Sequence, residues 1–124
     1  MKKIISTKNA PAAIGPYSQG IETEKLIFVS GQLPVNPESG EMPGNIVEQT
    51  HQSLKNIKSI LEAQGASMDN VIKTTIFIND MNNFKDVNEV YAKYFNGGFP
   101  ARSCVEVSKL PKDALVEVEA IAVK

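Results

Sequence analysis

One arginine and one cysteine occur in the 124-residue chain, and they stand two positions apart in Phe99-Pro100-Ala101-Arg102-Ser103-Cys104. Every other basic side chain except His51 is a lysine. Residues two apart on a strand project from the same face, so Arg102, Cys104 and Glu106 offer a cation, a thiol and a carboxylate side by side. A guanidinium grips a carboxylate through two parallel hydrogen bonds and stays charged in a partly dry pocket, whereas an ammonium is a point charge. The lone arginine therefore points to a carboxylate ligand. The alternative is an internal ion pair with Glu106, Glu117 or Glu119.

Glu117 and Glu119 share one face of the last strand with Leu115 and Ile121, where a charge is expensive unless a partner or a site explains it. Either glutamate, facing a cleft that holds Arg102, would serve as a general base or orient a water; periodicity does not choose between them. Cys104 as a nucleophile needs a positioned base, and His51, at the edge of an apolar helix stripe, is the single histidine available. Tyr17 and Ser30-Gly31 are polar groups beside glycine or proline at strand ends, where a backbone can approach a ligand. Asn88 flanks the apolar stripe of the second helix, the place of a solvent-facing residue unless a site recruits it.

The elements that must position these groups follow from the pattern of the chain. Residues 2–5 start a strand, and two prolines and a glycine between Asn9 and Tyr17 make a structured loop. Ile21–Thr23 and Leu26–Ser30 read as a β-hairpin that Gly31 ends or bulges, followed by a second Pro/Gly loop to Gly44. Asn45 with Glu48 three residues on caps a helix whose stripe is Val47, Thr50, Leu54, Ile57 and Leu61, stopped at Gly65. Val71–Ile78 is a strand, and Phe84, Val87, Val90, Tyr91, Tyr94 and Phe95 form the stripe of a second helix closed by Asn96-Gly97-Gly98. That aromatic stripe is either core or part of a ligand wall. Arg102–Val107 and Leu115–Val123 complete the order β-β-β-α-β-α-β-β, an α+β domain with both helices on one face of a mixed sheet.

Both faces of the last strand carry apolar side chains, and two helices cover one face only. The simplest cover for the other is a second copy of the chain, which predicts a homo-oligomer with clefts at subunit boundaries.

Length and composition fit a single domain over residues 1–124. A lone cysteine excludes an internal disulfide, the single histidine leaves no zinc-ligand cluster, and no glycine pattern cradles phosphate. Charges of both signs are scattered to a net −1, so nucleic acid is not an expected partner. No apolar run suggests a membrane segment or a secretory signal, and a cytoplasmic protein is expected.

Five stretches occur in order that together resemble the RidA/YjgF family: Ala13-Ile14-Gly15-Pro16-Tyr17-Ser18-Gln19, Ser30-Gly31-Gln32, Val71-Ile72-Lys73-Thr74-Thr75, Phe99 through Cys104, and Leu110-Pro111-Lys112 continuing to Glu117-Val118-Glu119-Ala120. The resemblance covers nearly the whole chain. It implies a chorismate-mutase-like fold, a homotrimer around a central open barrel, and sites in the clefts between subunits. It also implies hydrolytic deamination of 2-imino acids, such as 2-iminobutanoate and 2-iminopropanoate, to 2-keto acids and ammonia without a cofactor. In that scheme Arg102 clamps the substrate carboxylate, the backbone at Cys104 meets the imine region, and Glu117, preferred by the family spacing to Glu119, holds the attacking water. Tyr17, Ser30, Gly31 and Asn88 line the pocket.

Two other functions use the same residues. A non-catalytic sensor would bind a keto or imino acid in the cleft without turnover. An endoribonuclease, a label carried by some relatives, would need phosphate-binding cations and an acid/base pair, which one arginine and one histidine supply poorly. Chorismate mutase activity is suggested by fold alone, and fold is a weak guide to function.

Overall fold

The computed structural model describes residues 1–124. Six strands, β1 (Lys3–Ile5), β2 (Gly20–Glu22), β3 (Leu26–Gln32), β4 (Val71–Ile78), β5 (Ala101–Glu106) and β6 (Val116–Val123), form one sheet. The helix α1 (Ile46–Glu62) joins β3 to β4, and α2 (Phe84–Ala92) joins β4 to β5. Across the sheet the order is β1-β2-β3-β6-β4-β5. All neighbours are antiparallel except β4 and β5, which α2 connects as a crossover.

The two faces of the sheet differ sharply. On one, Ile27 and Val29 of β3, Ile76 and Ile78 of β4, and Val116, Val118, Ala120 and Ala122 of β6 pack in one core with Leu54, Ile57, Ile60 and Leu61 of α1 and Val87, Val90 and Tyr91 of α2. The opposite face carries Phe28 beside Ile121, Phe77 beside Glu117 and Thr75 beside Glu119. Phe28 and Val123 are exposed there, as are Ile4 at the edge and Val105 of β5. This is the uncovered apolar face that the alternation of β6 anticipates. The expectation of both helices on one face of a mixed α+β sheet is met.

Local chemistry explains the helix ends. The Asn45 side chain accepts from the Glu48 amide at 2.9 Å, and its Nδ2 reaches back to the Glu48 carboxylate, giving α1 the predicted start. The buried stripe of α1 differs from expectation, however. Val47 is exposed, and Ile46, Gln49, Ser53 and Asn56 turn inward instead. The physical reason lies in two buried amides. Asn56 donates to the carbonyls of Leu33 and Val35, while Gln49 donates to Pro43 O and accepts from Leu115 N. Loop backbone that would otherwise be buried without partners is thereby satisfied, at the cost of rotating the helix toward polar positions.

The second helix is shorter than its stripe. It stops at Ala92 with Lys93 as cap; Tyr94 follows in a turn and Phe95 just beyond it, both still packing on the core. β3 continues through Gly31 to Gln32, with its register to β6 shifted between Val29 and Gln32, so Gly31 marks a bulge rather than an end.

Candidate active site

Arg102 lies on β5 directly opposite Thr74 of β4 and points to the helix-covered face. Its Nη1 donates to Asn88 Oδ1 at 2.7 Å, and its guanidinium carbon sits 5.0 Å from the centre of the Tyr91 ring and 5.4 Å from that of Phe84. No carboxylate lies within ion-pair distance; the two salt bridges of the chain are Lys109–Asp113 and Lys124–Glu22. The internal ion pair is therefore eliminated as the reason for the arginine. Glu106 instead accepts from the Met81 amide at 2.7 Å, and Asn88, far from idling in solvent, is the polar partner of the guanidinium.

Cys104 follows Arg102 on the same face, opposite Ile76, and packs half-buried against the core. Burial pushes its thiol pKa up and outweighs the opposing effect of the nearby Arg102 charge, so the thiol is a poor nucleophile. His51 offers it no help: its Nδ1 pairs with the Tyr94 hydroxyl at 2.9 Å. The Cys/His dyad does not form.

Glu117 stands on the other face of the sheet. Its strand neighbours Val116 and Val118 are fully buried under the helices, which obliges Glu117 to point away from them. It lines a cleft of about 700 Å³ together with Glu119, Tyr17, Ser30, Gly31 and Ile14. Burial first, and the Glu119 charge second, raise the Glu117 pKa above its ordinary value. The absence of a side chain at Gly31 gives the carboxylate its room: a Cβ there would come within 2.9 Å of Glu117 Cδ and collide with its oxygen. Ser30 is held by donating its hydroxyl to Ser18 O at 2.6 Å, and Gln19, almost wholly buried, fixes the preceding loop by donating to the carbonyls of Thr7, Ala10 and Pro11.

A consequence of the Gly31–Glu117 contact is directly measurable. Gly31→Ala must push the carboxylate aside, and because the displaced group is the end of a flexible side chain the fold tolerates it. If Glu117 performs chemistry, the variant loses about 10²-fold in kcat, the usual effect of a misplacement of roughly 1 Å, with a thermal midpoint close to wild type. Steady-state kinetics with calorimetry tests both halves.

The seven residues singled out from the sequence thus fall into two groups. Tyr17, Ser30, Gly31 and Glu117 share the cleft on the open face; Asn88, Arg102 and Cys104 gather on the helix side near the edge strand β5. β4 and the thickness of the sheet separate the groups within one chain. Two residues of the arginine group were visible in the sequence only as members of an aromatic stripe, Phe84 and Tyr91. Lys112, whose backbone is left-handed at φ 57° and which lines the cleft, had no signal beyond its place in the Leu110-Pro111-Lys112 motif.

A mixed α+β sheet with an arginine unpaired by any carboxylate on one side and a carboxylate-bearing cleft on the other has the makings of a small-ligand protein, with its candidate binding groups divided between the two faces. Comparison with known proteins makes the class specific. The profile of the family described as endoribonuclease L-PSP matches residues 7–124. The 2-iminobutanoate/2-iminopropanoate deaminase of Escherichia coli (strain K12) is 53% identical over 127 residues, covering 100% of this chain and 99% of that protein. Among solved structures, the yjgF gene product of E. coli is similar at TM-score 0.95 and 51% identity, over 98% of each chain. E. coli TdcF with bound serine is similar at TM-score 0.96 and 48% identity, again over 98% of each. The chain belongs to this family, the RidA/YjgF family identified from its motifs. No helix is long and apolar enough to cross a membrane.

Proposed function

We propose that this protein hydrolyses reactive 2-imino acids, 2-iminobutanoate and 2-iminopropanoate among them, to 2-keto acids and ammonia. The sites form where two copies of a homotrimer meet. The observation that carries this reading is Arg102 itself: a guanidinium oriented by Asn88 and two aromatic rings, with no carboxylate of its own chain to neutralise it. Such a group is an anion receptor. Its partner in chemistry, Glu117, lies on the opposite sheet face, so one copy supplies the clamp and its neighbour the carboxylate. The uncovered apolar face, with Phe28, Ile121, Phe77 and Val105, supports such an assembly.

The reaction asks little more. A 2-imino acid held by its carboxylate is electrophilic at the imine carbon once its nitrogen is protonated. Glu117 takes a proton from water as the oxygen bonds to that carbon, giving a carbinolamine. Glu117 passes that proton to nitrogen and, ionised again, takes the hydroxyl proton as the C–N bond breaks; ammonia leaves with the bonding pair, the O–H electrons form the C=O of the keto acid, and the proton on Glu117 is released to solvent. The gain comes from placement and from charge stabilisation in a partly dry cleft. The half-buried environment that raises the Glu117 pKa also makes it a better proton acceptor than an exposed glutamate. Tyr17, Ser30 and Gly31 wall the water side, and the Cys104 backbone faces the imine.

Two measurements test this. 2-Iminobutanoate generated in situ from threonine by a dehydratase should give 2-oxobutanoate faster when the protein is added; a folded protein that gives no acceleration returns the function to that of a keto-acid-binding sensor. Second, Arg102→Ala and Glu117→Ala are each inactive, but unfolded together and refolded as random trimers they should recover roughly a quarter of wild-type activity, since mixed trimers hold one intact site of three. Absence of recovery in mixed oligomers refutes a site shared between copies. A ribonuclease function would instead require RNA cleavage by pure protein that disappears with Arg102→Ala, and the near-neutral, unclustered charge of the chain speaks against it.

A further inference from the structure

We infer that Phe84 and Tyr91 are positioning residues for Arg102, setting the plane of its guanidinium for an incoming carboxylate; the inference rests on Arg102 being the carboxylate clamp proposed above. Phe84, Asn88 and Tyr91 stand at positions i, i+4 and i+7 of α2, which places them on one stripe of the helix. That stripe meets the arginine with two ring faces and one amide oxygen, the guanidinium carbon lying 5.4 and 5.0 Å from the ring centres.

The Tyr91 ring is itself locked. It is 4% exposed, packs on Phe95 at 4.8 Å between centres, and its hydroxyl is bonded at 2.6 Å to Thr74 Oγ1. Thr74 is the residue paired with Arg102 across the β4/β5 ladder. A closed circuit of Arg102, Tyr91 and Thr74 therefore ties the orientation of the guanidinium to the sheet that carries it. Rings attract a cation without neutralising it, so the donors not used by Asn88 remain available to a ligand. A carboxylate in place of Phe84 would hold the arginine equally well and occupy its fork. The choice of aromatic residues thus keeps the clamp both rigid and empty.

Because the chain contains one arginine, its Nε–H gives a single, self-assigned resonance in a ¹⁵N-correlated spectrum. In the full-length protein that resonance is expected to be displaced by ring currents, to move toward the free-arginine position in Phe84→Leu, and to return in Phe84→Tyr. In parallel, Phe84→Leu should raise the KM for 2-iminobutanoate and the Kd for 2-oxobutanoate by about 3- to 30-fold, the range of ring–cation contacts from exposed to desolvated. kcat should change much less, and Phe84→Tyr should restore KM to within about twofold. Tyr91→Phe, which keeps the ring and loses the Thr74 bond, should broaden or split the resonance.

An Nε–H signal unchanged in folded Phe84→Leu overturns the inference, as does a KM increase that Phe84→Tyr fails to rescue, since that marks packing alone. If wild-type protein neither deaminates the imine nor binds 2-oxobutanoate while the resonance responds as described, the orientation of Arg102 by the two rings stands, but its use as a carboxylate clamp falls together with the proposed function.

Discussion

Arg102→Ala is expected to cripple 2-iminobutanoate hydrolysis, lowering kcat/KM by about 30- to 5,000-fold. Truncating one side of a desolvated, hydrogen-bonded charge pair costs about 2–5 kcal/mol, and the substrate carboxylate has no second cation to turn to in the cluster of Asn88, Phe84 and Tyr91. Arg102→Lys should retain little of the activity. An ammonium keeps the charge, but it loses the planar fork, the bond geometry to Asn88 Oδ1 and the fit to two ring faces. The protein should remain folded in both variants, because Arg102 is half-buried at an edge strand and closes no ion pair within the chain. Near-normal turnover in either variant would remove the basis for assigning the clamp.

Glu117→Gln should lower kcat by about 10²–10⁴-fold, the usual share of a positioned proton acceptor, with a much smaller change in Kd for 2-oxobutanoate. It should also stabilise the protein. The folded state raises the Glu117 pKa above its unfolded value, by burial and then by the Glu119 charge. Native protein thus binds this proton more readily than unfolded chain, and the ionised carboxylate subtracts stability as pH rises through that interval. The glutamine variant should therefore melt higher than wild type at neutral pH, and the difference should vanish on acidification below the ordinary glutamate pKa. Activity runs the opposite way. It needs the carboxylate, so it falls as pH drops through the raised pKa, and Glu119→Gln, by removing the like charge, should move that acid limb to lower pH. A Glu117→Gln enzyme with unreduced kcat, or a limb indifferent to Glu119, would contradict the proton-acceptor role.

The relation between these residues could be read from the chain only in part. Alternation along residues 115–123 and 101–107 correctly divides each strand into two faces, because side-chain direction in a strand has period two. It thus groups Arg102 with Cys104 and Glu106, and Glu117 with Glu119. It does not say which face of β5 matches which face of β6, since that depends on β4 lying between them and on the parallel pairing forced by α2. Cys104 and His51 illustrate the same gap. Both residue types suit a nucleophile and its base, yet the fold commits His51 to Tyr94 and packs the thiol against the core.

By itself the sequence determined the elements and their order, the two-sided apolar character of the last strand, the arginine as the one bidentate cation, and, through its motifs, the family. These are properties of local pattern: helix and strand periods, caps, turn residues and the hydrogen-bonding capacity of one side chain. Only the tertiary structure decided that Arg102 has no internal counter-ion, that Phe84, Asn88 and Tyr91 surround it, that Gly31 lies where a side chain would collide with Glu117, and that the Arg102 group and the Glu117 group occupy opposite faces of one sheet. Each of these depends on contacts between residues far apart in the chain, brought together by strand register and helix packing, and no local pattern encodes such a meeting.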